Sequence, residues 1–260
     1  MCHDCRCGLP NTSTADVAPA AEPTGIPRTI SLAQLSRSLL ARNELQAAAN
    51  RQAFAQAGVQ VINLLSSPGS GKTALLEALA RRSAPTRRQA VIVADLATDN
   101  DVRRLHAAGL PALQITTGQA CHLEASQVSR AVDQLQADGL PLADLDRLWI
   151  ENVGNLVCPA AYDLGEQLRL VLLAAGEGED KPLKYPTLFH SADLVVISKI
   201  DLAEPVGFDR RQAFRAIAAV APSATVLEVS ARTGAGLDAL EEQLSRRRQQ
   251  AALREASLTP

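Results

Sequence analysis

Aromatic residues make up only 3% of the chain and the formal net charge is −2. Few rings are therefore available to stack on nucleic-acid bases, and the summed field exerts no general pull on phosphate polymers or anionic membrane. No uninterrupted apolar run reaches the roughly eighteen residues that a membrane helix needs. The N-terminus also lacks the basic-then-apolar order of a secretory signal. The expectation is a cytoplasmic protein with no nucleic-acid and no membrane partner. With rings scarce, a core must come from Leu, Val, Ile and Ala, and an apolar share of 47% over 260 residues suffices for one large domain or two small ones.

Cysteine is scarce too, and unevenly placed. Three of the five crowd Met1-Cys2-His3-Asp4-Cys5-Arg6-Cys7, and the other two are Cys121 and Cys158. In a cytosolic chain they read as reduced ligands or buried apolar residues before they read as disulfides. Cys2, Cys5 and Cys7 can bring three thiolates to one soft metal ion, with the terminal amine or His3 as a fourth donor. That set suits square-planar Ni²⁺ and tetrahedral Zn²⁺ alike. Residues 8–30 are rich in Pro, Ala, Thr and Gly without periodicity, so residues 1–30 read as a flexible tail that carries a metal motif. Ser31 and Gln34 then form a capping-box pattern. The helix they open is expected to run to about residue 56, before Gly58, with a break allowed near Asn43 and an apolar face built from Leu32, Leu35, Leu39 and Leu40.

From 59 to 260 short apolar runs alternate with helical stretches. Strands are predicted at 60–66, 89–95, 112–116, 146–151, 169–174, 194–198 and 225–229, the pattern of an α/β fold with a mainly parallel sheet flanked by helices. Ligands of such sheets sit at the carboxyl ends of the strands.

The first strand ends in Ser66-Ser67-Pro68-Gly69-Ser70-Gly71-Lys72-Thr73 and a helical pattern follows. Strand, glycine-rich turn and helix in this order make a phosphate loop. Gly69 and Gly71 let successive N–H groups, that of Ser70 among them, turn toward phosphate oxygens at a helix N-terminus. Lys72 would pair with the β- and γ-phosphates and the Thr73 hydroxyl would ligate Mg²⁺. Asp95, at the end of the second strand, would hold Mg²⁺ or its water, or else cap the following turn. Glu151 ends the fourth strand with Gly154 three residues on. That spacing suits a γ-phosphate sensor, with a carboxylate on the Mg²⁺ shell and a glycine N–H near the terminal phosphate.

Ser198-Lys199-Ile200-Asp201 follows the sixth strand and approximates the N/T-K-x-D element that reads guanine. Asp201 would accept from guanine N1–H and the 2-amino group, with the Lys199 stem along the base. Adenine lacks that donor pair. Ser230-Ala231, after the last strand, matches the loop whose backbone N–H meets the guanine oxygen. Cys121-His122 after the third strand and Cys158 beyond Gly154 make an incomplete thiolate and imidazole site for Zn²⁺ or Ni²⁺. Cys158 would ride on the segment that responds to the γ-phosphate, linking metal geometry to nucleotide state.

Taken together, the Cys2/Cys5/Cys7 motif, Ser66–Thr73, Cys121-His122, residues 151–159, residues 177–186 and Ser198–Asp201 closely resemble the HypB-type hydrogenase nickel-incorporation GTPases. These belong to the SIMIBI class of P-loop NTPases. Arg6 stands where that family has glycine in the N-terminal motif. The resemblance implies slow hydrolysis of GTP to GDP with Mg²⁺, GTP-promoted homodimerisation, and a metal site of Cys121, His122 and Cys158 at the dimer interface. It also implies a HypA-type nickel chaperone as partner and delivery of Ni²⁺ to the large-subunit precursor of [NiFe]-hydrogenase. Three other readings fit the residues less well. A nickel-storage protein would need abundant ligands, and the linker has no histidine. A small-molecule kinase would lack the Lys199–Asp201 and Ser230–Ala231 pair. A urease or B12-dependent-mutase accessory GTPase fits less well with the N-terminal cysteines and Cys121-His122.

Overall fold

The computed structural model describes residues 32–83, 87–95, 98–118 and 120–258. Cys2, Cys5, Cys7, the linker, the Ser31 cap and the side chains of Leu32 and Leu35 lie outside the described residues. In chain order the elements are α1 (Leu32–Ala57), β1 (Gln60–Ser66), α2 (Lys72–Arg82), β2 (Gln89–Asp95), α3 (Asn100–Ala107), β3 (Ala112–Thr116), α4 (Ala125–Ala137) and β4 (Arg147–Glu151). They continue with β5 (Leu168–Ala174), α5 (Lys181–Lys184), α6 (Pro186–His190), β6 (Leu194–Ser198), α7 (Arg210–Val220), β7 (Thr225–Glu228) and α8 (Leu237–Leu258). All strand pairs are parallel, in the order β3-β2-β4-β1-β5-β6-β7.

The sheet is covered on both faces, which is why its strands read as continuous apolar runs and not as alternating ones. Ile62, Leu64, Trp149, Leu170 and Val196 face one layer, closed by Leu75, Leu76 and Leu79 of α2 and by Leu240 and Leu244 of α8. Their neighbours Val61, Ile92, Leu148 and Ile150 face the opposite layer, under Phe54 of α1 and Val128 and Leu135 of α4. On that same side Val171, Leu173, Val195 and Ile197 pack beneath Leu188 and Phe189 of α6 and Ala213 and Ile217 of α7.

α1 differs from expectation in two respects. It is unbroken at Asn43, because that side chain is buried and bonds to other elements, leaving its own helix backbone uncontested. Its buried stripe is Asn43, Ala47, Asn50 and Phe54, whereas Leu39 is 45% exposed. Gly58, at φ 66°, ends the helix where an L side chain would be strained. Among the described residues no helix is long and apolar enough to cross a membrane.

Candidate functional site

The loop between β1 and α2 is bent by Gly69 and Gly71, at φ 74° and 97°. Both values fall in the left-handed region, where glycine has no steric penalty. Lys72 is buried and donates from Nζ to Ser66 Oγ at 3.2 Å. Burial lowers its pKa, and the Glu151 carboxylate is the largest influence the other way. The Thr73 hydroxyl donates to Glu151 Oε1 at 2.8 Å. Glu151 Oε2 is buried and has no hydrogen-bond partner. Burial pushes the Glu151 pKa up to about 7 against the pull of Lys72 and Thr73. A buried carboxylate oxygen with an open lone pair beside a hydroxyl is the donor set of a hard divalent cation.

Gly154 lies against this loop. A Cβ there would fall 2.8 Å from Pro68 Cα and 2.9 Å from Pro68 N, so only glycine permits the approach. Asp95 stands at the end of β2 with Thr98 turned toward it, the backbone N–H at 3.4 Å and the hydroxyl at 3.3 Å. These contacts match the turn-capping alternative, and the Asp95 charge is a minor influence on Lys72. Sequence reasoning assigned no role to Glu177, which follows β5. It accepts from Ser67 Oγ at 3.1 Å and from Ser70 Oγ at 2.5 Å, holding two side chains of the loop from a neighbouring strand end. Its position after a central strand was the available signal.

The residues expected on the base side meet the same loop. Ser198 Oγ donates to Ser70 O at 2.8 Å and Lys199 Nζ to Gly69 O at 2.7 Å, so both residues brace the phosphate loop. Lys199 itself is left-handed, at φ 54°. Asp201 accepts from the Ser230 hydroxyl and from Arg232 Nε, the latter at 2.8 Å. The Ser230 hydrogen bond first, and Arg232 after it, hold the Asp201 carboxyl below its ordinary pKa. A cavity of about 290 Å³ opens between Gly71, Lys199, Asp201 and Ala231, with a predominantly apolar lining suited to a planar ring.

The third group lies on the other half of the same sheet edge. Cys121 Sγ, a His122 ring nitrogen and Cys158 Sγ all fall within 4.8 Å of one another. Cys121 Sγ is 3.7 Å from His122 Nδ1. Burial lowers the His122 pKa, which favours the neutral imidazole that ligates metals. Hydrogen bonding to Cys158 raises the Cys121 pKa, so a metal would have to displace that proton. His122 stacks on Tyr162, with centroids 3.7 Å apart. Asn155 Nδ2 donates to Cys121 O at 3.1 Å while its Oδ1 accepts from Val157 N at 2.9 Å. Neither Asn155 nor Tyr162 was assigned a role from sequence, because each acts on a residue far along the chain.

Comparison with known proteins adds an independent line. Residues 60–228 match the family model described as CobW/HypB/UreG, nucleotide-binding domain. A hydrogenase maturation factor HypB of Azotobacter chroococcum is 47% identical over 206 residues, 79% of this chain and 66% of the relative. The chain thus spans just under two thirds of that protein's length. A hydrogenase/urease maturation factor HypB of Helicobacter hepaticus is 51% identical over 175 residues, 67% of this chain and 71% of the relative. Among solved structures, HypB from Helicobacter pylori in complex with nickel superposes with a TM-score of 0.77 at 41% identity. That match covers 81% of this chain and 96% of that one. With the family model spanning most of the described chain and relatives of 47–51% identity, this chain belongs to the CobW/HypB/UreG family of P-loop NTPases, as a HypB member.

Proposed function

We propose that the protein is a GTP-hydrolysing switch that handles nickel during maturation of a [NiFe]-hydrogenase. The observation that carries this is the continuity of residues 151–158. Glu151 meets Thr73 at the phosphate loop, Gly154 lies on Pro68, Asn155 holds the Cys121 backbone, and Cys158 completes the sulfur and nitrogen cluster. One short segment therefore touches both sites. The names of the HypB relatives and the nickel complex of the Helicobacter pylori protein support the same assignment.

Thr73 and Glu151 would hold Mg²⁺, with Asp95 nearby, and a bound Mg²⁺ would neutralise charge on the β- and γ-phosphates. Lys72 and the N–H groups around Ser70 bind the phosphates. Asp201, held ionised by Ser230 and Arg232, accepts from the guanine edge, and Ala231 lines the base cavity. Gly154 senses the γ-phosphate through its close approach to the loop; loss of that phosphate after hydrolysis relaxes the segment and moves Cys158. Cys121, His122 and Cys158 supply three of the four ligands that Zn²⁺ or square-planar Ni²⁺ takes, so a GTP-promoted homodimer can complete the set. Ni²⁺ is the cargo, received from a HypA-type chaperone and passed toward the hydrogenase large-subunit precursor. Cys2, Cys5 and Cys7 would supply the ligands of a second metal site. The Helicobacter hepaticus relative is named for urease as well as hydrogenase, and this widens the acceptor class to nickel enzymes.

Metal stoichiometry and oligomeric state measured with GTP, with GDP and without nucleotide test the switch. GTP is expected to favour the dimer and to change Ni²⁺ affinity relative to GDP. If neither quantity responds to nucleotide, the coupling is wrong.

A further inference from the structure

The two loops that carry the metal triad leave strands that are not neighbours. Cys121 and His122 follow β3, Cys158 follows β4, and β2 lies between these strands. Two inter-strand spacings separate β3 from β4, roughly 9–10 Å. No ladder hydrogen bond sets the position of one loop against the other, although three ligand atoms must meet one ion.

Beside the Asn155–Cys121 hydrogen bond and the His122–Tyr162 stack, α1 supplies a buried connection. Asn43 and Asn50 lie on its buried stripe, and a buried amide is costly unless its donors and acceptor are paired. Each finds partners in both loops. Asn43 Nδ2 donates to Asp163 O at 2.7 Å, and its Oδ1 accepts from Ala125 N at 2.8 Å. Asn50 Nδ2 donates to Ala125 O at 2.8 Å and to Leu164 O at 3.0 Å, while Gln46 Nε2 caps its Oδ1 at 3.0 Å. Ala125 is three residues beyond His122, and Asp163 and Leu164 are five and six beyond Cys158. Gly165 seats the second loop directly on the helix. A Cβ there would lie 2.6 Å from Ala47 O, and Arg51 adds an ion pair to Asp163.

We propose that α1 is the positioning element of the metal site, with Asn43 and Asn50 fixing the separation at which Cys121, His122 and Cys158 meet one divalent ion. This rests on the assignment of that triad as a metal site. Neither asparagine touches the metal. Each bridges the backbones of the two loops that do.

The test uses the full chain with Cys2, Cys5 and Cys7 changed to Ser, so that Ni²⁺ reports on the internal site alone. Asn50→Leu and Asn43→Leu keep side-chain size and remove the bridges. Expected is a Ni²⁺ affinity weaker by about 10- to 100-fold and a shifted thiolate-to-nickel charge-transfer band, with GDP affinity held within about twofold. GDP binding also shows that a variant is folded, and Asn43→Leu, nearer the start of the helix, stands in should Asn50→Leu fail to fold. A variant that binds GDP normally and keeps parental Ni²⁺ affinity and spectrum overturns the positioning role. Ni²⁺ stoichiometry in the parent that Cys158→Ala leaves unchanged refutes the metal site itself, and the positioning role with it.

Discussion

The nucleotide half and the metal half of one sheet edge are built in different ways. The phosphate loop takes its shape from its own residues, and Glu177, Ser198 and Lys199 brace it from neighbouring strand ends. Its turn is made by Gly69 and Gly71, its lysine is buried against Ser66, and its threonine already engages Glu151. The metal half holds three side chains on two loops, and its order comes from contacts between those loops, through Asn155 and Tyr162, and from Asn43 and Asn50 of α1. A loop turned by its own glycines needs less outside support than ligands that must meet from separate loops. Residues 151–158 belong to both.

The largest effect is expected where the nucleotide half depends on a single carboxylate. Asp201→Asn removes one acceptor from guanine and offers a donor in its place, which suits xanthine. Competition binding should show the GTP-over-xanthosine-triphosphate preference falling by roughly 10⁴-fold. Ni²⁺ binding without nucleotide should stay as it was. Unchanged GTP selectivity would remove guanine recognition from Asp201 and leave it as a partner of Ser230 and Arg232 only.

This asymmetry also explains what could be read from the chain. The seven strands lie within a residue of their predicted limits, because a doubly covered parallel sheet leaves uninterrupted Val, Ile and Leu runs between turn residues. Ser66–Thr73, Glu151, Gly154 and Asp201 were legible for a related reason: each is a fixed residue type at a strand end, in a fixed order. Cys121, His122 and Cys158 were legible through rarity. Their support was not. Asn43 reads locally as a weak point in a helix, and only its contacts with Ala125 and Asp163 reveal a bridge. Leu39 reads as core by spacing, yet it is exposed because the helix turns its asparagine stripe inward.

An intermediate effect is expected at the shared segment. Gly154→Ala places a methyl 2.8 Å from the Pro68 backbone, nearer than Cβ atoms come to backbone, so the loop or the 151–158 segment must shift. Overpacking of this kind costs about 1–3 kcal/mol, so GTP affinity should fall by roughly 5- to 150-fold in direct titration. Because Asn155 follows immediately, the nucleotide dependence of Ni²⁺ binding should weaken in the same variant. Parental GTP affinity together with parental coupling would show that the segment is not a sensor, and that the two halves communicate by another route.

The smallest effect tests whether the metal half depends on ring orientation as well as on loop position. The His122 imidazole lies against Tyr162 with an interplanar angle of 24°, and burial holds it neutral. Tyr162→Leu keeps an apolar neighbour but removes the aromatic contact. Such contacts are worth about 0.5–1.5 kcal/mol, which corresponds to a Ni²⁺ affinity roughly 2- to 10-fold weaker by titration. GDP affinity should not change, since Tyr162 makes no contact with the phosphate loop or the base cavity. A loss as large as that expected for Asn50→Leu would mean that the stack, more than the helix, holds the two loops together; no loss would mean that the asparagine bridges suffice to orient His122.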